Sequence, residues 1–483
     1  MHGPGQSSSS AHRGWLAFLL RERPRPRALR ERPGAWRAAV AAVCFGAFMG
    51  QLDASIVTLT YTSLRAEFDA PVAAVEWVSL AYLLALVALL VPAGRFADAH
   101  GRKQFYLYGF VVFTAASAAC GLAPTLGALV AFRVVQAVGA AMLQANSVAL
   151  VTTSAPRQQM RAALGVQAAA QALGLALGPT LGGLLVATVG WRWVFGINVP
   201  VGIVAVVLGY YVLPRTRART PMAVFDWLGL LLLVTATTSG LLGISALSGL
   251  ALPGWSVAVL FAVAVGTGAA FFVRQRRAAA PLVDLELLRS RAVSLGLAGA
   301  LCGYLVLFGP LVLVPLVLTG RGTSGLVTGA VLTALPAGFA LAATAGDRVV
   351  PRALTDRDRC LAGSGLCVVA LAALLAVPFA VAWLAPVLGL LGVGLGVFTP
   401  ANNAVIMGAV PVRASGTGGG LVNMARGLGT ALGVALVTLA LNGGAAGPRR
   451  AVLVLLLVAA LTVVTAWAGS AGTAFGHNSR EEP

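Results

Sequence analysis

The chain has 483 residues, 58% of them hydrophobic and only 10% charged, with a mean hydropathy of +0.88. A water-soluble globular protein of this length could not cover itself with so little polar surface, so most of the chain is expected to lie in lipid. The net charge of +19 does not point to nucleic acid, because the arginines come in short groups between apolar runs rather than on one folded face.

The first 36 residues are polar and arginine-rich, with one short apolar patch from Trp15 to Leu20. That patch is too short for a signal-peptide core, so the segment reads as a basic tail with a disordered terminal part. A membrane-crossing helix needs about 20 apolar residues. By that measure fourteen helices follow, over 38–61, 74–96, 105–123, 127–152, 162–188, 196–213, 226–247, 256–273, 293–319, 324–345, 360–379, 383–409, 414–441 and 451–470. The apolar runs are continuous instead of alternating in short pieces, which excludes a β-barrel. With the N-terminus inside, 27 of the 34 Lys and Arg fall on the inner side and five on the outer side; Arg133 and Arg426 lie within spans. This bias predicts that both termini face the cytoplasm.

Gln144 to Pro156 reads QANSVALVTTSAP, and Pro400 to Pro411 reads PANNAVIMGAVP. Each is followed by an arginine (Arg161, Arg413) and, ten residues later, by an amide (Gln171, Asn423). Spans 4–5 therefore resemble spans 12–13, as expected of two six-helix halves. The predicted organisation is a basic tail (1–36), a six-helix bundle (37–214), linkers with two extra helices (215–292), a second six-helix bundle (293–472) and a short cytoplasmic tail (473–483). The fold class is all-α integral membrane protein.

Of the 15 acidic residues only Asp53 lies deep inside a span. An ionisable group in hydrocarbon is costly unless it meets a partner or a wet cavity, so Asp53 is the first candidate for a functional site. It lies about 8 residues, roughly 12 Å, below the outer end of span 1, a depth that Arg133 shares in span 4. A neighbouring arginine favours the charged carboxylate and burial the protonated one, an opposition suited to proton exchange. A static pair holding spans 1 and 4 together is the alternative. Five scattered cysteines have no metal-ligand spacing and an odd count, and neither a His/Cys cluster nor a nucleotide-binding loop is present. No catalytic residue, metal or cofactor is therefore predicted, and a membrane enzyme is disfavoured.

Several motifs carry more specific information. Gly94 to Lys103 reads GRFADAHGRK, with Gly94, Asp98, Gly101, Arg102 and Lys103 as its key positions. Span 5 holds Gly165, Gly174, Gly178, Pro179, Gly182 and Gly183. Its glycines at 174, 178 and 182 share one face, where another backbone can approach, and Pro179 favours a kink. Taken alone, this is a packing face. Together with LDASIV (Leu52 to Val57), WRWVFGINVPVG (Trp191 to Gly202), FDWLG (Phe225 to Gly229) and the Arg133–Gln136 pair, these pieces resemble the fourteen-span drug:proton antiporters of the major facilitator superfamily. The resemblance covers residues 37 to 470. Thr58, Thr62 and Ala137 depart from the group's usual residues, the first two bearing on substrate range more than on coupling, and the second half's loop motif, Gly346 to Arg352, is degenerate.

That resemblance implies a fold of two six-helix bundles with spans 7 and 8 inserted between them. It implies export of small hydrophobic or amphiphilic compounds across the bacterial inner membrane, driven by the proton gradient without a cofactor. Asp53 would bind the proton, Arg133 would tune its release, and the Asp98 cluster would gate the cytoplasmic side. The partners expected are substrate, protons and lipid, with no nucleic acid, and the chain is expected to be monomeric. A dedicated exporter of one secondary metabolite, siderophore or lipid is the nearest alternative; a non-transporting sensor is disfavoured. Candidate cavity liners are Trp77, Gln136, Gln144, Asn146, Gln171, Asn402, Asn403, Asn423 and Arg426, although each amide could instead bond across helices. Arg426, likewise, could serve packing. If it faces the cavity, neutral or anionic amphiphiles should be preferred over dications; efflux of divalent cationic dyes at rates equal to those of monovalent or neutral ones, measured in inverted vesicles, would contradict this.

Overall fold

The computed structural model describes residues 26–27, 34–216, 225–247, 253–319, 321–323, 325–349, 354–441 and 446–468. Most of the basic tail, the stretch 217–224 of the first linker, residues 350–352 of the degenerate loop motif and the tail 473–483 lie outside them. So do the side chains of Thr58 and Thr62.

Fourteen helices among the described residues are long and apolar enough to cross a membrane. They are span 1 (Ala35–Ile56), span 2 (Val72–His100), span 3 (Arg102–Gly121), span 4 (Leu126–Ser154), span 5 (Met160–Thr188), span 6 (Arg192–Gly196 continuing as Asn198–Val212) and span 7 (Trp227–Leu247). Span 8 (Gly254–Arg277), span 9 (Arg291–Thr319), span 10 (Gly325–Val349), span 11 (Asp356–Ala376), span 12 (Val381–Ala409), span 13 (Ser415–Leu441) and span 14 (Gly447–Ala468) complete the set. In hydrocarbon a helix meets its own backbone hydrogen-bonding needs, which is why these runs take no other form.

Spans 1–6 pack mainly among themselves, as do spans 9–14. A seam joins the two groups where spans 2, 4 and 5 meet spans 10, 12 and 13. Span 7 lies across this seam, touching both span 2 and span 13, while span 8 packs chiefly on span 7. The buried Asp226 of FDWLG closes the start of span 7 by accepting from the Gly229 N–H at 2.9 Å. Arg274 and Gln275, at the end of span 8, donate to the same carboxylate at 3.2 and 3.0 Å.

An even number of crossings puts the start of span 1 and the end of span 14 on one face, the terminal face. There the expected loop between spans 2 and 3 shrinks to a single residue. Span 2 runs to His100 and span 3 starts at Arg102, leaving Gly101 to turn the chain at φ +117°, a conformation that favours glycine. Arg102 and Lys103, placed in a loop by the hydropathy pattern, are instead buried in the first turn of span 3. Both charges are engaged: Lys103 Nζ donates to the Tyr210 carbonyl at 2.7 Å and lies 5.8 Å from the centre of that residue's ring. On the opposite face, Glu67 accepts from Arg192 at 2.9 Å and from the Trp191 indole at 2.5 Å. These two donors hold its carboxyl below the usual carboxylate range.

The glycine motif of span 5 divides by role. Spans 1 and 5 are in intimate contact, and a Cβ at Gly174 would run into the Phe48 carbonyl oxygen, one at Gly178 into Ser55 and one at Gly182 into Ile56. Gly165 faces the Ala343 carbonyl of span 10, and Gly183 faces open space. The helix passes through Pro179 without interruption. Gly174→Leu should therefore force spans 1 and 5 apart and cost about 1–3 kcal/mol or more, as overpacking does. Gly183→Ala should be neutral. Thermal unfolding of the two purified variants, followed by size-exclusion chromatography in detergent, would separate these outcomes.

Candidate functional site

Asp53 is fully buried and Arg133 is 1% exposed. The structure brings them together, with Arg133 Nη1 2.6 Å from Asp53 Oδ2. The other carboxylate oxygen accepts from Gln136 Nε2 at 2.9 Å and from Asn198 Nδ2 at 3.0 Å. Arg133 is itself well supplied: its Nε donates to the Val78 carbonyl at 3.0 Å, its Nη1 also reaches Gln136 Oε1 at 2.6 Å, and it stacks over the Tyr82 ring at 3.9 Å. Gln136 extends the network to Ser117 in span 3 at 2.7 Å. Removing one member of a buried pair typically costs about 3–5 kcal/mol, because the other charge is left uncompensated.

Asn198 belongs to this cluster although no role was assigned to it from sequence. Span 6 breaks at Ile197 because Pro200 has no N–H to offer the Gly196 carbonyl, and Asn198 opens the second segment. An amide two residues before a proline, inside an otherwise apolar run, is the signal that could have found it.

Beside this cluster, between the two helix groups, lies a cavity of about 930 Å³. Arg133 forms part of its wall, with Gln51, Ser55, Tyr82, Tyr304 and many leucines and valines from spans 1, 2, 4, 5, 9, 10 and 13. Of the expected liners, Gln144, Asn423 and Arg426 reach it. Gln171 lines an adjoining niche of about 20 Å³ that shares Gln51, Leu175, Tyr304 and Phe308 with it. Asn423 Nδ2 donates across the seam to the Gln144 carbonyl at 2.8 Å. Among the described residues no Asp or Glu lines the cavity.

The remaining expected liners sit elsewhere, for reasons of helix rotation. On span 2 the cavity face is Ser79, Tyr82, Leu83, Leu86, Val87 and Leu90, and Trp77, two residues before Ser79, points the opposite way and is exposed. Asn146, two residues beyond Gln144, is turned away likewise and donates to the Met142 carbonyl at 2.7 Å. Gln136 is committed to Asp53 and Ser117, and Asn402 donates to the Gly296 carbonyl of span 9 at 2.9 Å. Asn403 is buried off the cavity.

On the terminal face another buried carboxylate closes the seam. Asp98 accepts from the Gly416 N–H at 2.8 Å, the Thr417 N–H at 2.7 Å and the Thr417 hydroxyl at 2.8 Å, all in the first turn of span 13. A helix start presents unpaired N–H groups and positive potential, so a carboxylate is well held there. Arg102 pairs with Asp98 at 2.7 Å and donates to the Val412 carbonyl at 2.5 Å. Gly94 and Gly416 allow this closeness, since a Cβ on either would strike the other's backbone oxygen. Arg161 and Asp356 bridge the same face at 2.7 Å between spans 5 and 11, but in a partly exposed setting where such a pair contributes little.

Comparison with known proteins follows the same lines. A family model described as Major Facilitator Superfamily matches residues 43–434. The multidrug resistance protein Stp of Mycobacterium tuberculosis is 32% identical over 404 residues, covering 81% of this chain and 73% of its own length. The riboflavin transporter RibZ of Clostridioides difficile is 30% identical, covering 81% of this chain and 85% of its own. In structure, the human organic anion transporter MFSD10 (TETRAN) superposes with a TM-score of 0.67 at 16% identity over 91% of this chain and all of its own, a likeness of fold. This multi-pass membrane protein, a transporter rather than an enzyme, belongs to the Major Facilitator Superfamily.

Proposed function

We propose that the protein exports hydrophobic small molecules from the bacterial cytoplasm or inner leaflet in exchange for protons. The observation that carries this reading is the Asp53–Arg133 pair, in which Arg133 touches both the buried carboxylate and the cavity. Protonating Asp53 removes the charge that holds Arg133 in place. Arg133 then relaxes towards Gln136 and the Val78 carbonyl, and the wall that cargo meets changes shape. Cargo and proton thereby compete for one arrangement of the wall, which is the requirement for antiport. A cavity of this size, mostly apolar and with a few convergent polar groups, suits drug-sized amphiphiles.

The terminal face is taken as cytoplasmic on the arginine bias, with the protein acting as a monomer in the inner membrane. The Asp98 cluster then closes the cytoplasmic side, and the conformation described is the one shut towards the cytoplasm. Likeness to multidrug resistance protein Stp supports a drug cargo. Likeness to a riboflavin transporter supports the second reading, a dedicated carrier of one metabolite on the same fold.

Asp53→Asn keeps the shape of the side chain and removes the titrating group. Drug resistance and substrate-induced proton release should fall to the level of cells or protein lacking the transporter, with expression unchanged; full resistance in this variant would overturn the coupling role. Asp98→Asn weakens the closure at the start of span 13 and should lower initial efflux rates in inverted vesicles by roughly tenfold, the scale of about 1–2 kcal/mol in a two-state balance. Arg161→Ala removes only the exposed bridge and should change the rate less than twofold, within the range of surface pairs.

A further inference from the structure

The cavity carries two charged side chains among the described residues, Arg133 and Arg426, and they are treated very differently. Arg133 has its charge matched by Asp53 at 2.6 Å, with a full set of short bonds around it. Arg426 has no carboxylate. Its Nη1 reaches two neutral oxygens, Asn423 Oδ1 at 3.2 Å and Gln171 Oε1 at 3.4 Å. Those contacts are long against the 2.7–2.9 Å usual for charge-assisted bonds. Its Nε is buried without any partner, and the residue as a whole is 4% exposed. The Tyr304 ring lies 5.1 Å from the guanidinium centre, and the Tyr304 hydroxyl leans on the same Gln171 oxygen at 3.4 Å.

Buried polar groups in native proteins are paired, and a buried cation without a counter-charge needs a specific account. A packing role does not supply one, because packing would be served by a neutral side chain of the same length at no electrostatic cost. Position does supply one, since the unmatched charge sits on the wall of a large cavity between the helix groups, beside an amide (Asn423) and a phenol (Tyr304).

We infer that Arg426 forms an anion subsite of this cavity, which takes the carboxylate, sulfonate or phenolate of an amphiphilic cargo. The anionic oxygen matches the guanidinium charge from the cavity side, a task suited to its planar fork of donors. The apolar body of the cargo then lies against Leu83, Leu86, Leu175, Phe308 and Leu332. With no acid among the described residues of the wall, a cationic head has no partner there. The inference rests on the cavity being the cargo site but is independent of proton drive.

The test is equilibrium binding to the full-length protein in phosphatidylcholine nanodiscs without any gradient, corrected with empty discs. The probes are anilinonaphthalene sulfonate and its uncharged parent N-phenylnaphthylamine, which share a ring skeleton and differ by the sulfonate. The wild-type protein should bind the sulfonate about tenfold or more tighter than the parent, the scale of one charge-assisted bond. Arg426→Gln should erase that preference while leaving the parent's affinity within twofold, and Arg426→Lys should retain part of it. Equal binding of the two probes by the wild type would overturn the subsite even if Arg426→Gln failed to fold, as would an equal loss for both probes in that variant. If phosphatidylglycerol added to the discs displaces the sulfonate, a lipid headgroup is the occupant and the small-cargo assignment falls. Because no flux is measured, a transporter that passes this test but whose Asp53→Asn form still exports would lose the antiport reading and keep the subsite. Absence of binding by either probe would remove both the cargo cavity and the subsite.

Discussion

A carboxylate can stay in hydrocarbon only if polar groups converge on it from every side, and that requirement organises the first six helices. Asp53 on span 1 draws in Arg133 and Gln136 from span 4 and Asn198 from span 6. Those in turn engage the Val78 carbonyl of span 2 and Ser117 of span 3. Five helices are thus oriented by one buried charge. Span 5, which contributes no polar group to the cluster, is placed by shape instead, its glycines seating it against the backbone of span 1 on either side of Asp53. Electrostatics and sterics therefore fix the same helix from different directions, and any change in Asp53 is felt through all of its neighbours.

Asp98, equally buried, does a different kind of work. Asp53 is satisfied within its own helix group, whereas Asp98 is satisfied largely by the first turn of span 13 in the other group. Its bonds to span 13 exist only while the two groups are in contact on the terminal face. The two acids consequently report on different things, one on the cavity wall and one on the seam. Arg133 and Arg426 divide in a parallel way, one matched by a carboxylate and the other, among the described residues, bonded only to neutral oxygens.

Much of this was legible in the sequence because hydrocarbon imposes strong rules. Uninterrupted apolar runs gave the helices, and the rarity of deep charges singled out Asp53, Arg133 and Arg426. What stayed hidden was rotation. These helices are apolar all round, so no periodic pattern tells which face meets a cavity, and the amides could not be sorted. Gln144 and Asn423 turned inward, whereas Asn146, two residues from Gln144, turned to its own helix backbone. The burial of Arg102 and Lys103 was hidden for a related reason, since hydropathy places charges outside a span without knowing that carbonyls and a carboxylate await them in the first turn of the next. Asn198 stayed hidden because its reach to Asp53 depends on a break in span 6.

The seam on the terminal face has one more property that follows from its residues. Gly94 meets Gly416, Gly419 meets the Ala145 carbonyl and Gly420 meets the Leu90 carbonyl, so backbone lies against backbone across the joint. Most helix interfaces mesh like gear teeth, with side chains of one helix lodged between those of the other. Along this strip the teeth are missing, although Val91 and Leu421 share an apolar cluster beside it. Here the two surfaces can slide with little to interlock, so the resistance comes from the bonds of Asp98 and Arg102, the Asn423 bond, the Arg161–Asp356 bridge and the apolar side chains flanking the strip, such as Val91 and Leu421. The joint thus behaves as a bearing, smooth along one strip and held by several clasps of which the Asp98 cluster is the most buried.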